Sequence, residues 1–338
     1  MEKKYKCIVF DLDNTLWDGV ILENDKIELK EEIKHMILEL DRRGILMSIA
    51  SKNDYSIVED KLKEFGVWDY FLYPQITWNP KSTSIKIIKD KLNIGYDSIA
   101  FIDDQMYERE EVVFMLPEID CFDVDILSEI LQVDFFNPRF ITEESASRRK
   151  MYLDDEKRSE EEKITGNIDI QFLKTQEMEF IVSIAEDKDL QRVEELVHRT
   201  NQLNATGLIY SYDELKEYID SNNYIVYLAE LKDKYGTYGK IGVCLIEKNQ
   251  QFFSVKLLLM SCRVMSRGIG NLLLHHVINE SLKTNRTLYC EFNHTGKNKL
   301  MYVTLKFSGF VEQDNDKRLI STNEKLIEVP EYVKLKII

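Results

Sequence analysis

Cysteine is sparse and unpatterned in this sequence. Cys7, Cys121, Cys244, Cys262 and Cys290 are odd in number and show no CxxC spacing, which argues against both a disulfide framework and a thiolate zinc site. No apolar run reaches the roughly 20 residues that a membrane-spanning helix needs. The opening "MEKKYKC" lacks the apolar core of a secretory signal, so a cytoplasmic location is expected, with no membrane partner. Positive charge is also in deficit. The 45 Lys and Arg stand against 60 Asp and Glu, for a net charge of −15, so nucleic acid and anionic lipid are poor candidate partners. An acidic protein partner would need a local basic patch. Internal repeats and low-complexity tracts are absent. The remainder is ordinary for a globular chain, 44% hydrophobic and 31% charged, and 338 residues suffice for two domains.

The first part of the chain alternates strand and helix patterns. Cys7 to Phe10 is an apolar strand; Leu29, Ile33, Met36, Ile37 and Leu40 follow helical spacing and stop at Gly44. "ILMSIAS" reads as a second buried strand, "VEDKLKEFGV" as a second helix and "FLYPQI" as a third strand. A helix carrying Ile85, Ile88 and Leu92 follows, then the strand "SIAFIDD". This alternation predicts an α/β domain with a parallel sheet over residues 1–135. Residues 136–177 are dense in charge and read as a solvated helix or linker. Within them "RRK" (Arg148 to Lys150) is the most basic run, either a dock for an acidic partner or a solvated face. Residues 178–338 return to strands and helices, with a hairpin turning at Asp233 to Gly239, a long strand "FSVKLLLMSCRV", the turn "SRGIG" and a helix "NLLLHHVINESL".

Chemistry-bearing residues fall where ligands sit in parallel α/β sheets, at the carboxyl ends of strands. Asp11-x-Asp13-x-Thr15 follows the first strand, Ser51 ends the second, Lys81 opens the third helix, and Asp103 and Asp104 end the later strand. Carboxylates this close repel unless a cation lies among them. One could attack phosphorus and another move the proton, while a lysine and a hydroxyl hold phosphoryl oxygens and a further carboxylate completes a Mg²⁺ site. The intervals from Asp13 to Ser51 and from Ser51 to Lys81 are too short for an inserted lid domain, so an open site is expected.

This ordered set resembles the haloacid dehalogenase-like (HAD) phosphatase superfamily. The resemblance implies Asp11 as nucleophile, forming an aspartyl-phosphate, and Asp13 as general acid/base. It implies phosphate binding by Thr15, Ser51, Lys52 and Lys81, and Mg²⁺ held by Asp11, Asp103 and the backbone carbonyl of Asp13. Farther on, "VMSRGIGNLLLHH" resembles the acyl-CoA turn of the GNAT acyltransferase fold. Arg267, Gly268 and Gly270 fit it, but Met265 stands where the pattern has Arg or Gln. The fold class implied is a HAD-like parallel-sheet domain without a large cap, followed by a GNAT-like α/β domain.

Together "FDLDNTLWDGV", "ASKND", "PKS", "FIDDQMYEREEV", "PRFITEES", "RTNQLN" and "MSCRV" resemble the FkbH-like family, subfamily IIIC of the phosphatase superfamily, from about Cys7 to Phe310. That resemblance implies a glyceryl transferase/phosphatase of polyketide-type pathways. It would draw on 1,3-bisphosphoglycerate and load glyceryl onto the phosphopantetheine thiol of an acyl carrier protein. Cys262 is then the expected acyl nucleophile, with Arg263 and Arg267 near enough to favour thiolate; an inert core cysteine is the alternative. Asn53, Asp104, Thr200, Asn201, Asn204, Arg263, Arg267, Gly268 and Gly270 are candidates to bind substrate or pantetheine. Two other functions fit the same motifs: a small-molecule phosphatase fused to an acetyl-CoA-dependent N-acetyltransferase, and a non-catalytic scaffold that docks the carrier.

Overall fold

The computed structural model describes residues 5–23, 26–165, 170–261, 263–264, 268–313 and 318–338. Among them no helix is long and apolar enough to cross a membrane. The chain divides into two compact units, Met1–Lys157 and Arg158–Ile338.

The first unit runs β1 (Cys7–Phe10), α1 (Glu31–Arg42), β2 (Leu46–Ser51), α2 (Tyr55–Glu64), β3 (Gln75–Ile76), α3 (Lys81–Leu92), β4 (Ile99–Ile102), α4 (Met106–Met115), β5 (Asp120–Phe122), α5 (Glu143–Ala146) and the first part of α6 (Arg148–Thr165). Its sheet is parallel, in the order β3-β2-β1-β4-β5. Alternation sorts β1 between two cores. Ile8 and Phe10 pack with Met36, Leu40, Val58 and Leu62 of α1 and α2. Cys7 and Val9 pack on the other face with Ile85, Ile88 and Val112 of α3 and α4. Burial on both faces is why β1, β2 and β4 read as continuous apolar runs. The third strand is shorter than "FLYPQI" predicts.

The basic run differs from both of its expected roles. Arg148 is buried and donates to the Gly44 carbonyl at 2.6 Å. Arg149 pairs with Asp41 at 2.8 Å, donates to the Asp69 carbonyl and lies over the Tyr70 ring. Two of its three cations are thus engaged inside the first unit, where they fix the start of α6, so "RRK" is not an open docking patch.

The second unit continues with the rest of α6, α7 (Ile170–Thr175), β6 (Met178–Ile184), α8 (Leu190–Arg199), α9 (Tyr212–Asp220), β7 (Tyr224–Asp233), β8 (Gly236–Lys248), β9 (Phe252–Met260), α10 (Leu272–Lys283), β10 (Thr287–Glu291), α11 (Lys299–Phe307), β11 (Phe310–Glu312), β12 (Arg318–Ser321) and β13 (Val333–Ile337). These strands form one mixed sheet, β11-β12-β10-β9-β8-β7-β6-β13. β9 pairs in parallel with β10 only from Phe252 to Val255, so the two strands part company below Met260. The edge that β10 leaves is taken by Leu203–Ala205. Ala205 donates its N–H to the Leu258 carbonyl at 2.9 Å, and Met260 donates to the Leu203 carbonyl at 3.0 Å.

Arg158 ties α6 to the β7–β8 turn. Its guanidinium donates twice to Asp233, at 2.6 and 2.8 Å, and stacks 4.0 Å from the centre of the Tyr238 ring. Both partners are almost fully buried. Removing one side of such a pair strands the other charge. Arg158→Ala is expected to cost about 3–5 kcal/mol, read by urea denaturation; a loss below about 1 kcal/mol, the scale of an exposed pair, would contradict this account.

Candidate active site

The loops that leave the carboxyl ends of β1, β2 and β4 bring the predicted pieces of the first unit together. Asp11 follows the last residue of β1, and its N–H still donates to the Ile102 carbonyl at 2.9 Å, so its carboxylate sits at the end of the sheet beside β4. Asn14, with φ at 54°, turns the chain away, and its side chain accepts from the Gly19 N–H at 2.9 Å. Lys81, at the start of α3, donates to Asp11 and to the Ala50 carbonyl. Its ammonium also lies 3.0 Å from Asp103 Oδ2. Asp11, Asp103 and Lys81 are all buried.

Charge explains their ionisation. Burial pushes the Asp11 carboxyl up, the Lys81 ammonium pulls it down, the Asp103 charge raises it and hydrogen bonds from Lys81 and Ser51 lower it, which together leave it at about 6. Burial opposes the Lys81 charge, yet Asp11 and Asp103 outweigh it and hold the amine above its usual range. Asp104 is shifted upward by burial and by the neighbouring Asp103 charge.

One carboxylate oxygen from each of Asp11, Asp103 and Asp104 lies within 4.8 Å of the others. Asp104 Oδ1 is buried without a hydrogen-bond donor, and the cation beside Asp103 Oδ2 is the Lys81 ammonium, which Asp11 shares. A buried acceptor left without a donor is costly, and oxygen-only donors suit Mg²⁺. The residues therefore fit the ion. They also move Asp104 from the substrate-binding candidates into the carboxylate cluster.

Asp13 stands apart from that cluster. Its Oδ1 accepts from the Trp17 indole N–H at 2.8 Å and the Ile21 N–H at 3.0 Å, and its Oδ2 from the Asn53 amide at 2.8 Å. Asn53 is thus bound to the general acid/base candidate. The Thr15 hydroxyl is buried without a partner, and Ser51 reaches Asp11. Lys52 pairs at 2.7 Å with Glu108, a buried carboxylate that the motif reading did not single out. Arg109, also missed, donates to the Asp103 carbonyl at 2.6 Å and pairs with Asp123 at 2.8 Å, bracing the acidic loop. The signal for Trp17, Glu108 and Arg109 was present, since they lie within "DLDNTLWDGV" and "FIDDQMYEREEV".

The second unit gives a different outcome. Cys262 and Arg267 lie outside the described residues. Arg263 donates to the Tyr238 carbonyl at 3.2 Å. Gly268 has a φ of 67°, and Tyr332 donates to its carbonyl at 3.2 Å; Gly270 follows just before α10. Thr200 ends α8, and Asn201 is exposed. Asn204 is buried, and its side-chain oxygen accepts from the Thr206 and Gly207 N–H groups at 3.2 and 2.9 Å. That oxygen braces the turn behind the Leu203–Ala205 segment. The buried Asn298 amide adds bonds to the carbonyls of Asn204, Ala205 and Asn293. Of the remaining thiols, Cys7, Cys244 and Cys290 are fully buried, and burial drives their ionisation far upward, that of Cys121 to about 12. They are inert by environment.

No family model matches the sequence, and no curated protein matches it. Solved structures resemble its parts. The N-terminal, phosphatase-domain part of a Bacteroides fragilis protein, crystallised with Mg, is 26% identical with a TM-score of 0.37, over 40% of this chain and 41% of that one. A ribosomal-protein alanine N-acetyltransferase from Escherichia coli is 18% identical with a TM-score of 0.33, over 40% of this chain and 79% of that one. A 3-deoxy-D-manno-octulosonate 8-phosphate phosphatase from Moraxella catarrhalis, in complex with magnesium and phosphate ions, is 22% identical with a TM-score of 0.27, over 31% and 61%. The fold itself rests on strand order: a five-stranded parallel α/β unit precedes an α/β unit with an eight-stranded mixed sheet.

Proton linkage gives a test of the cluster. In the metal-free protein Asp11 holds a proton up to about pH 6, whereas an unfolded aspartate releases it near about 3.9. Native stability therefore falls as pH rises through that window. A divalent cation must displace the same proton, so Mg²⁺ should raise the melting temperature more at about pH 7 than at about pH 5. Equal shifts at the two pH values would place the ion elsewhere.

Proposed function

We propose that the first unit is a phosphatase acting through an aspartyl-phosphate on Asp11. The observation that carries this reading is the convergence of Asp11, Asp103 and Asp104 around Lys81 at the carboxyl ends of the strands. Bound Mg²⁺ would balance the carboxylates and the phosphoryl oxygens. Asp11 attacks phosphorus, and the leaving oxygen takes a proton from Asp13. Water then attacks the acyl phosphate, giving its proton back to Asp13 and releasing Asp11 and inorganic phosphate. Lys81 and Ser51 flank Asp11 and are placed to hold phosphoryl oxygens. Asp13 Oδ2 is the carboxylate oxygen with a lone pair to spare.

We further propose the whole chain as a bifunctional glyceryl transferase/phosphatase. It would take the phosphoglyceryl group of 1,3-bisphosphoglycerate, remove its phosphate and load glyceryl as a thioester onto an acyl carrier protein, with Cys262 as acyl nucleophile. The run of FkbH-like motifs supports this, as does the absence of any lid domain between β1 and α3 among the described residues, which leaves the phosphatase site open to a substrate carried on a protein. Intact-mass spectrometry after incubation with 1,3-bisphosphoglycerate, Mg²⁺ and holo carrier protein tests it. A glyceryl adduct on enzyme or carrier is expected. Acetyl-CoA turnover without such an adduct would instead favour the fused phosphatase and N-acetyltransferase.

A further inference from the structure

We propose that Asn53 and Trp17 are positioning residues for Asp13, and that they divide the work of its two carboxylate oxygens. The inference rests on the phosphatase reading above. Oδ1 takes two donors, the Trp17 indole and the Ile21 backbone, and Oδ2 takes only the Asn53 amide. Each carboxylate oxygen has about two lone-pair sites, so Oδ1 is filled and Oδ2 keeps one. Proton traffic to the leaving group, and back from water, runs through Oδ2.

The donors are themselves held. Trp17 and Asn53 are each 2% exposed. The Trp17 ring packs against Phe65, so its N–H cannot swing away without opening the core. The Asn53 side-chain oxygen Oδ1 accepts from the Asp54 N–H at 3.2 Å, which leaves the Nδ2 end of the amide facing Asp13. Asp54 in turn caps α2 through the Ser56 and Ile57 N–H groups. The acid/base rotamer is therefore set from two directions, by a buried indole in the loop after β1 and by an amide anchored to the start of α2.

The proton balance makes this testable. Departure of an alkoxide breaks the P–O bond and needs the Oδ2 proton; departure of p-nitrophenolate does not. The ratio kcat/KM reports steps through transfer to Asp11, before water is needed. With Mg²⁺ present, Asn53→Ala is expected to lower kcat/KM for an alkyl phosphate by about 10²-fold, the scale of positioned acid catalysis. For p-nitrophenyl phosphate the fall should be at least about tenfold smaller. Trp17→Phe, which deletes the indole donor while keeping an aromatic ring, should give the same split, so the test survives if one variant does not fold. A Mg²⁺-dependent melting shift identifies the folded variant. Equal falls on both substrates, or no fall, would overturn the positioning role. A wild-type protein that hydrolyses neither substrate with Mg²⁺ would instead remove the phosphatase reading, and the inference with it.

Discussion

Asp11→Asn is expected to abolish phosphate-ester hydrolysis, with a loss of about 10⁴-fold or more, the scale seen when a covalent nucleophile is removed. The amide is nearly isosteric, so the fold should survive. Two further effects separate loss of the nucleophile from general damage. Lys81 loses one of its two carboxylate partners, and the cluster of Asp11, Asp103 and Asp104 loses one negative charge, so Mg²⁺ should stabilise the variant less than the parent. Steady-state hydrolysis and melting temperature with and without Mg²⁺ check both. A variant within about tenfold of the parent would mean that another group attacks phosphorus.

Lys81→Met should have its largest effect on the metal-free protein. The ammonium lies between Asp11 and Asp103, both buried, and donates to the Ala50 carbonyl at 2.9 Å. Without it two buried carboxylates face one another with no cation between them. Breaking such a buried arrangement from one side costs about 3–5 kcal/mol. Mg²⁺ should return much of that stability by supplying the missing positive charge, but not the activity, because the lysine that flanks the phosphoryl position is gone. Denaturation in urea with Mg²⁺ and with a chelator measures this. The same loss under both conditions would show that Lys81 and the cation do not share a role.

Most of the first unit was legible because its physics is local. Strands buried on both faces are apolar runs, helices keep their period, and the acidic and hydroxylated residues stand at strand ends. Failures came where an explanation lies far off in sequence. Arg148, Arg149 and Arg158 read as solvated charge because their partners, at Gly44, Asp41 and Asp233, lie well outside any window around them. The helix α4 escaped notice because Met106, Tyr107, Phe114 and Met115 are exposed on it, which blurs the apolar stripe that marks an amphipathic helix. Asp104 and Asn53 could not be given their neighbours from sequence for a related reason. Adjacent acids look interchangeable in a sequence, and an amide near a phosphate site looks like a ligand; only geometry assigns one to the cation cluster and the other to Asp13. In the second unit the short strands β11 to β13 carry too few residues for a period to show. Asn204 looked like a binding group, although its side-chain oxygen is engaged by the turn that closes the β9 edge.

The central claim is that Asp11 takes the phosphoryl group. Its most direct test is to quench the enzyme during turnover of a phosphate ester with Mg²⁺, reduce it with borohydride and map the peptides by mass spectrometry. An acyl phosphate on Asp11 is converted to homoserine, so the peptide spanning Lys6 to Lys26 should carry that change at residue 11 alone, and only when substrate was present. Sustained turnover with residue 11 always recovered as unmodified aspartate would contradict the account.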